Sequence, residues 1–130
     1  MREIKFRAWD KENKKFLDWD TELKWSLAVT EKVPNTPDSV AFFGVALSSP
    51  LFIVEQFTGL KDKNEVEIYE GDIVGVKYND YESFIIPQGI VEFTDGSFMV
   101  NPRNEKGFPM RLCLFDCEVI GNIHENPELL

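Results

Sequence analysis

The side chains best suited to nucleophilic or metal chemistry are few: Cys113 and Cys117, four residues apart, and a single histidine, His124. Two thiols and one imidazole would complete a tetrahedral zinc site only with a carboxylate as fourth ligand, an uncommon set. A thiolate–imidazole pair needs the two groups within hydrogen-bond reach and a third group orienting the base, and nothing in the spacing supplies either. On an extended strand, residues four apart are separated by about 13 Å. That is well beyond the roughly 7 Å between Cα atoms that a disulfide spans. The expectation is two reduced thiols, not bonded to each other and packed as small apolar side chains.

Carboxylates are plentiful, with 23 acidic residues against 14 basic ones and a net charge of −9. Glu67, Glu70 and Asp72 lie close in sequence, but a glycosidase-like pair needs about 5–10 Å between carboxyl groups inside a sugar-sized cleft. A chain of 130 residues has little room for one. Asp72, directly after Gly71, is read as the cap of a tight turn. The run Asp62-Lys63-Asn64-Glu65-Val66-Glu67 lacks the ligand positions, central glycine and distant bidentate Glu of an EF-hand. There is no P-loop, no dinucleotide-binding glycine fingerprint and no Gly-x-Ser-x-Gly elbow. No catalytic residue, metal ligand or cofactor is assigned, and the chain is expected to be non-enzymatic. Phe6, Arg7, Trp9 and Lys11 interleave rings and cations as a stacking platform for single-stranded nucleic acid would. A net charge of −9 repels a phosphate backbone, so nucleic acid is not an expected partner.

The charge is uneven. Residues 1–15 hold six basic and three acidic side chains, the remainder 8 basic and 20 acidic. The basic cluster reads as the solvated rim of a hairpin that discourages strand addition. The opening Met1-Arg2-Glu3-Ile4-Lys5 has no apolar segment of a signal peptide, and no run approaches the ~18 apolar residues of a membrane span. A cytoplasmic protein without membrane partners is expected. Length and 43% apolar content point to one domain over residues 1–130.

The elements expected to position these residues are mainly strands. Ile4, Phe6 and Ala8 alternate with Lys5 and Arg7, the period of a strand with one buried face. Asp10 to Lys15 is a polar turn, and Phe16 to Trp19 the returning strand. Leu23, Trp25, Leu27 and Val29 alternate as another strand, with a short helix as the alternative. Pro34 to Ser39 is a loop. Val40 to Leu47 is compatible with strand or helix, and Leu51 to Phe57 with a strand.

The second half is β-branched and aromatic at Ile73–Tyr78, Phe84–Ile86, Gly89–Phe93, Ser97–Val100 and Arg111–Phe115. Asp95-Gly96 marks a primed hairpin turn. The expected fold is mainly β with little helix. A small, partly open, SH3-like antiparallel barrel occupies the C-terminal half, with an N-terminal β-hairpin and further strands packed on it.

Three stretches carry a resemblance. They are Met1-Arg2-Glu3-Ile4-Lys5-Phe6-Arg7-Ala8-Trp9-Asp10; Gln56-Phe57-Thr58-Gly59-Leu60-Lys61-Asp62-Lys63-Asn64 with Ile68-Tyr69-Glu70-Gly71-Asp72-Ile73-Val74; and Val119 to Leu130. In this order they resemble the YopX family of phage and prophage proteins, end to end. Two departures are Glu65, where the family usually has glycine, and His124, where it has an aromatic residue. The resemblance implies a mostly β structure and a mobile-element origin, and it supplies no biochemical activity. Thr58 to Asn64 is turn-rich, fitting a structural connection more readily than an exposed binding loop.

What remains is surface chemistry. Lys61, Asp62, Lys63 and Asn64, together with the terminal Leu129 and Leu130, are the candidate interaction residues. The leading expectation is a phage or prophage accessory protein that binds a protein partner and self-associates as a homo-oligomer. The alternative is an acidic decoy that mimics DNA and occupies the groove of a host nucleic-acid-binding protein, which would require a continuous stripe of carboxylates.

Overall fold

The computed structural model describes residues 3–19, 50–77, 84–103, 108–112 and 116–130. The expected strand at 23–29, the loop at 34–39, the undecided run at 40–47 and Cys113 lie outside the described residues. Nine strands are described: β1 (Phe6–Asp10), β2 (Lys15–Leu17), β3 (Phe52–Lys61), β4 (Glu67–Tyr69), β5 (Asp72–Lys77), β6 (Phe84–Thr94), β7 (Ser97–Pro102), β8 (Met110–Arg111) and β9 (Asp116–Asn122). A single 3-10 turn, Pro127–Leu129, follows them. The fold is mainly β, as the alternation in the sequence requires. No helix among the described residues is long and apolar enough to cross a membrane.

The chain divides into two compact units at Gln56/Phe57, within β3. In the first, β1 and β2 form the expected hairpin, with Ala8 opposite Leu17 and Trp9 opposite Phe16. The first half of β3 pairs with the other edge of β1, antiparallel. Asp10 shapes the hairpin turn: its carboxylate accepts the side-chain amide of Asn13 at 2.7 Å and the backbone N–H groups of Glu12 and Asn13 at 3.0 and 3.1 Å. One face gathers Ala8 and Leu17 with Phe6, Trp19, Phe52 and Val54.

The other face departs from the expectation of solvated cations. The Arg7 side chain is only 16% exposed, because Nε donates to Glu55 Oε1 at 3.0 Å and the guanidinium lies 4.2 Å from the Phe16 ring centre. A cation paired and stacked in this way loses hydration without being left uncompensated. Lys11, Lys14 and Lys15 are exposed as expected.

In the second unit five antiparallel strands, ordered β8-β7-β6-β5-β9, curl as a half-barrel around Ile68, Val74, Val76, Val91, Val100, Leu112 and Cys117. The second half of β3 pairs with β4. The turn between β6 and β7 is the primed turn expected, with Asp95 at φ +52° and Gly96 at +82°.

Two expectations need correction. Phe84–Ile86 and Gly89–Phe93 are one strand, β6. The two extended segments flank Pro87-Gln88, where register shifts against β5 absorb extra residues. Such a bulge tolerates a proline that a regular ladder would reject. The strand expected at Arg111–Phe115 ends at Arg111, with Leu112 in a 3-10 turn, and the next strand begins at Asp116. Strand β9 was not legible because Ile120 is an extra residue between Val119, opposite Val74, and Gly121, opposite Ile73. That bulge breaks the period-2 pattern.

Candidate functional site

The segment Lys61 to Asn64 is where the sequence places its polar candidates, and the structure gives its members different work. Strand β3 carries the chain through Thr58 to Lys61, so only Asp62 to Glu65 is turn. Asp62 is 6% exposed. Its Oδ1 accepts the N–H groups of Asn64 (2.8 Å) and Val66 (2.9 Å), and its Oδ2 accepts the N–H of Val119 (3.0 Å). Burial alone would push this carboxyl up. The three N–H donors at Val119, Val66 and Asn64, with Lys63 nearby, outweigh it and hold the group below its ordinary value.

The long-range bond to Val119 has an architectural consequence. Strand β9 pairs with β5 along one side. On its other side, the Cys117 carbonyl accepts the Lys63 N–H at 3.4 Å, and the Val119 N–H meets Asp62. The Asp62 turn thus closes an edge that would otherwise present unpaired backbone groups. Lys63 Nζ reinforces it 3.3 Å from Glu118 Oε2, while the more exposed Lys61 lies 3.9 Å from Glu65.

The other motifs are likewise built into turns. The Asp72 carboxylate accepts the Tyr69 N–H at 2.8 Å, the turn-capping role expected of it. Beyond β9, Asn122 Oδ1 accepts the N–H groups of His124 (3.0 Å) and Glu125 (2.8 Å), while its Nδ2 donates to Glu125 Oε1 (3.0 Å). Asn126 answers through Oδ1, which accepts the Asn122 N–H at 3.2 Å. Ile123 N–H bonds the Gly71 carbonyl, tying the tail to the β4–β5 turn. The sequence reading did not single out Asn122 and Asn126, although Asn before a polar run is a signal for an Asx turn. Leu129 and Leu130 follow on the 3-10 turn, half-buried and 45% exposed respectively.

The chemistry available here is limited by the same geometry. A hollow of about 230 Å³ lies beside Asp62, lined also by Leu60, Lys61, Ile68, Leu112 and Cys117. Cys117 is buried and in no disulfide, with its thiol pushed up to about 11 by burial and then by the charges of Asp116 and Asp62. A thiol that remains protonated at neutral pH is a poor nucleophile and metal ligand. His124 follows the far end of β9, about 16 Å along the strand from Cys117, so the two form no pair. Among the described residues no three His, Cys, Asp or Glu side chains converge to hold a metal ion. Phe6 and Trp9 point to opposite faces of β1 and Trp9 is buried, so they make no common stacking platform.

The model of the YopX protein family matches residues 5–130. Among solved structures, protein EF1440 from Enterococcus faecalis is similar at 28% identity and a TM-score of 0.56, over 100% of this chain and 99% of that one. Protein yopX from Bacillus subtilis shares the fold at 23% identity and a TM-score of 0.59, with the same coverage. Among curated proteins nothing matches. The β-rich fold, the turn motifs and a family match over residues 5–130 together place this chain: it belongs to the YopX family.

Proposed function

We propose that this is a non-enzymatic accessory protein of a phage or prophage, acting in the host cytoplasm by binding protein and by self-association. The observation that supports it most is how the motif side chains are used. Asp62, Asp72, Asn122 and Asn126 bond backbone groups of their own fold, and the Cys117 thiol is buried. Large apolar side chains meanwhile stand outside the core, among them Phe93 at 54% and Leu130 at 45% exposure. Apolar groups held outward on a well-bonded framework favour contact with another macromolecule over chemistry on a small substrate.

The acidic-decoy alternative requires a continuous acidic stripe. Three of the described surface carboxylates are instead paired with bases, Glu65 with Lys61, Glu118 with Lys63 and Glu92 with Arg103. This favours the protein-binding reading. Light scattering at high micromolar concentration tests it. The intact chain is expected to exceed the monomer mass, and a chain ending at Asn126 is expected to dissociate. A monomeric intact chain would overturn self-association.

A further inference from the structure

We propose that a trough on the β6–β7–β8 sheet receives the segment Glu128–Leu130 of a second copy, with Glu128 paired to Arg111 and Leu130 laid on Met99. This inference rests on the self-association reading and names its receptor.

The trough follows from register. Met99 on β7 lies opposite Glu92 on β6 and opposite Arg111 on β8, so the three side chains stand side by side on one face. Met99 forms the floor between an acidic wall and a basic wall. Ser97 and Asn101, two residues to either side of Met99, continue the same face, and the space enclosed is about 360 Å³. A thioether floor adapts to differently shaped apolar side chains.

The charges in the trough are unequal in their bonding. Glu92 Oε2 accepts the Asn101 side-chain amide at 3.2 Å, and its Oε1 lies 3.8 Å from Arg103. Arg111 is exposed, and among the described residues no carboxylate lies within ion-pair distance of it. Asp95 at the turn end repels an anion there. The trough therefore suits a segment with an apolar side chain over Met99 and a carboxylate at the Arg111 end.

The chain carries such a segment. Glu128 is exposed and Leu130 is 45% exposed, on a tail held rigid by bonds from Leu129 N–H to the Asn126 carbonyl and from Leu130 N–H to the Pro127 carbonyl. In its own copy none of Glu128, Leu129 and Leu130 is among the residues that line the trough. Donor and receptor are different surfaces of one copy, so two copies that exchange tails reciprocally close a two-fold dimer, and copies that do not reciprocate build a ring or a filament.

The test is the mass of the full chain by light scattering. Arg111→Glu and Glu128→Arg are each expected to weaken assembly by at least about tenfold, and the double variant to restore it. Thermal unfolding of each variant checks the fold. If Arg111→Glu does not fold, Arg111→Gln and Glu128→Gln carry the same comparison. Wild-type mass in both single variants overturns the trough and leaves self-association standing. Dissociation without rescue in the double variant overturns the Glu128–Arg111 pairing. A monomeric wild type overturns the self-association reading and this inference with it.

Discussion

Replacing Asp62 with asparagine tests whether a single carboxylate holds the edge of β9 closed. In the folded chain it accepts three backbone N–H groups at 2.8, 2.9 and 3.0 Å, one of them from Val119, 57 residues away. The amide oxygen of asparagine retains the two local bonds in weakened form, but its NH₂ then faces the Val119 N–H, donor against donor. One bond to a charged acceptor, about 1.5–3 kcal/mol, is lost and a poorly hydrated N–H is left without a partner. The sum is about 3 kcal/mol, or about 10 °C in melting temperature for a domain of this size.

The pH dependence carries a sign. The carboxyl is held below its ordinary 3.8, so its stabilisation is fully present above that value and is lost as pH falls through the folded value. Chemical denaturation of wild type and variant is expected to show the full difference at about pH 7 and a shrinking one from about pH 4 downward. A difference under about 0.5 kcal/mol at neutral pH, or one that stays constant into acid, would refute the reasoning.

Three further perturbations follow from local geometry. Glu65 sits at φ +64°, in the left-handed region that favours glycine. Glu65→Gly is therefore expected to stabilise by about 0.5–1 kcal/mol, even after losing the exposed 3.9 Å contact with Lys61, and unchanged or lower stability in denaturant would contradict this. A Cβ on Gly121 would lie 2.6 Å from Asn126 Oδ1. Gly121→Ala is accordingly expected to cost about 1–3 kcal/mol and to loosen the tail, read as faster amide exchange at Asn122 and Ile123. Cys117, with its thiol at about 11, should react with an aromatic disulfide reagent far more slowly than free cysteine at about pH 8 in a Cys113→Ser background. Labelling at the free-cysteine rate would show that the pocket opens readily.

Much of the fold was legible because its causes are local. The hairpin at Phe6–Leu17 shows in alternating side chains around a polar turn, and the β6–β7 turn shows in Asp95-Gly96, whose positive φ values few other residue pairs accept. Asp72 could be assigned to a turn because its bond partner is only three residues away. The family resemblance also marked Glu65 as a departure, and the backbone there shows why glycine suits the position.

Composition and alternation along the chain determined that this protein is mainly β, with tight turns at Gly71-Asp72 and Asp95-Gly96. Tertiary structure alone decided what the candidate residues do. The bulge at Ile120 is defined only against the partner strand β5. The role of Asp62 depends on an N–H far along the chain, and the alignment of Glu92, Met99 and Arg111 depends on the register of three strands. Side-chain periodicity reports which face of a strand is apolar. Register and edge closure are set by packing between segments distant in sequence, and that information is absent from any local window.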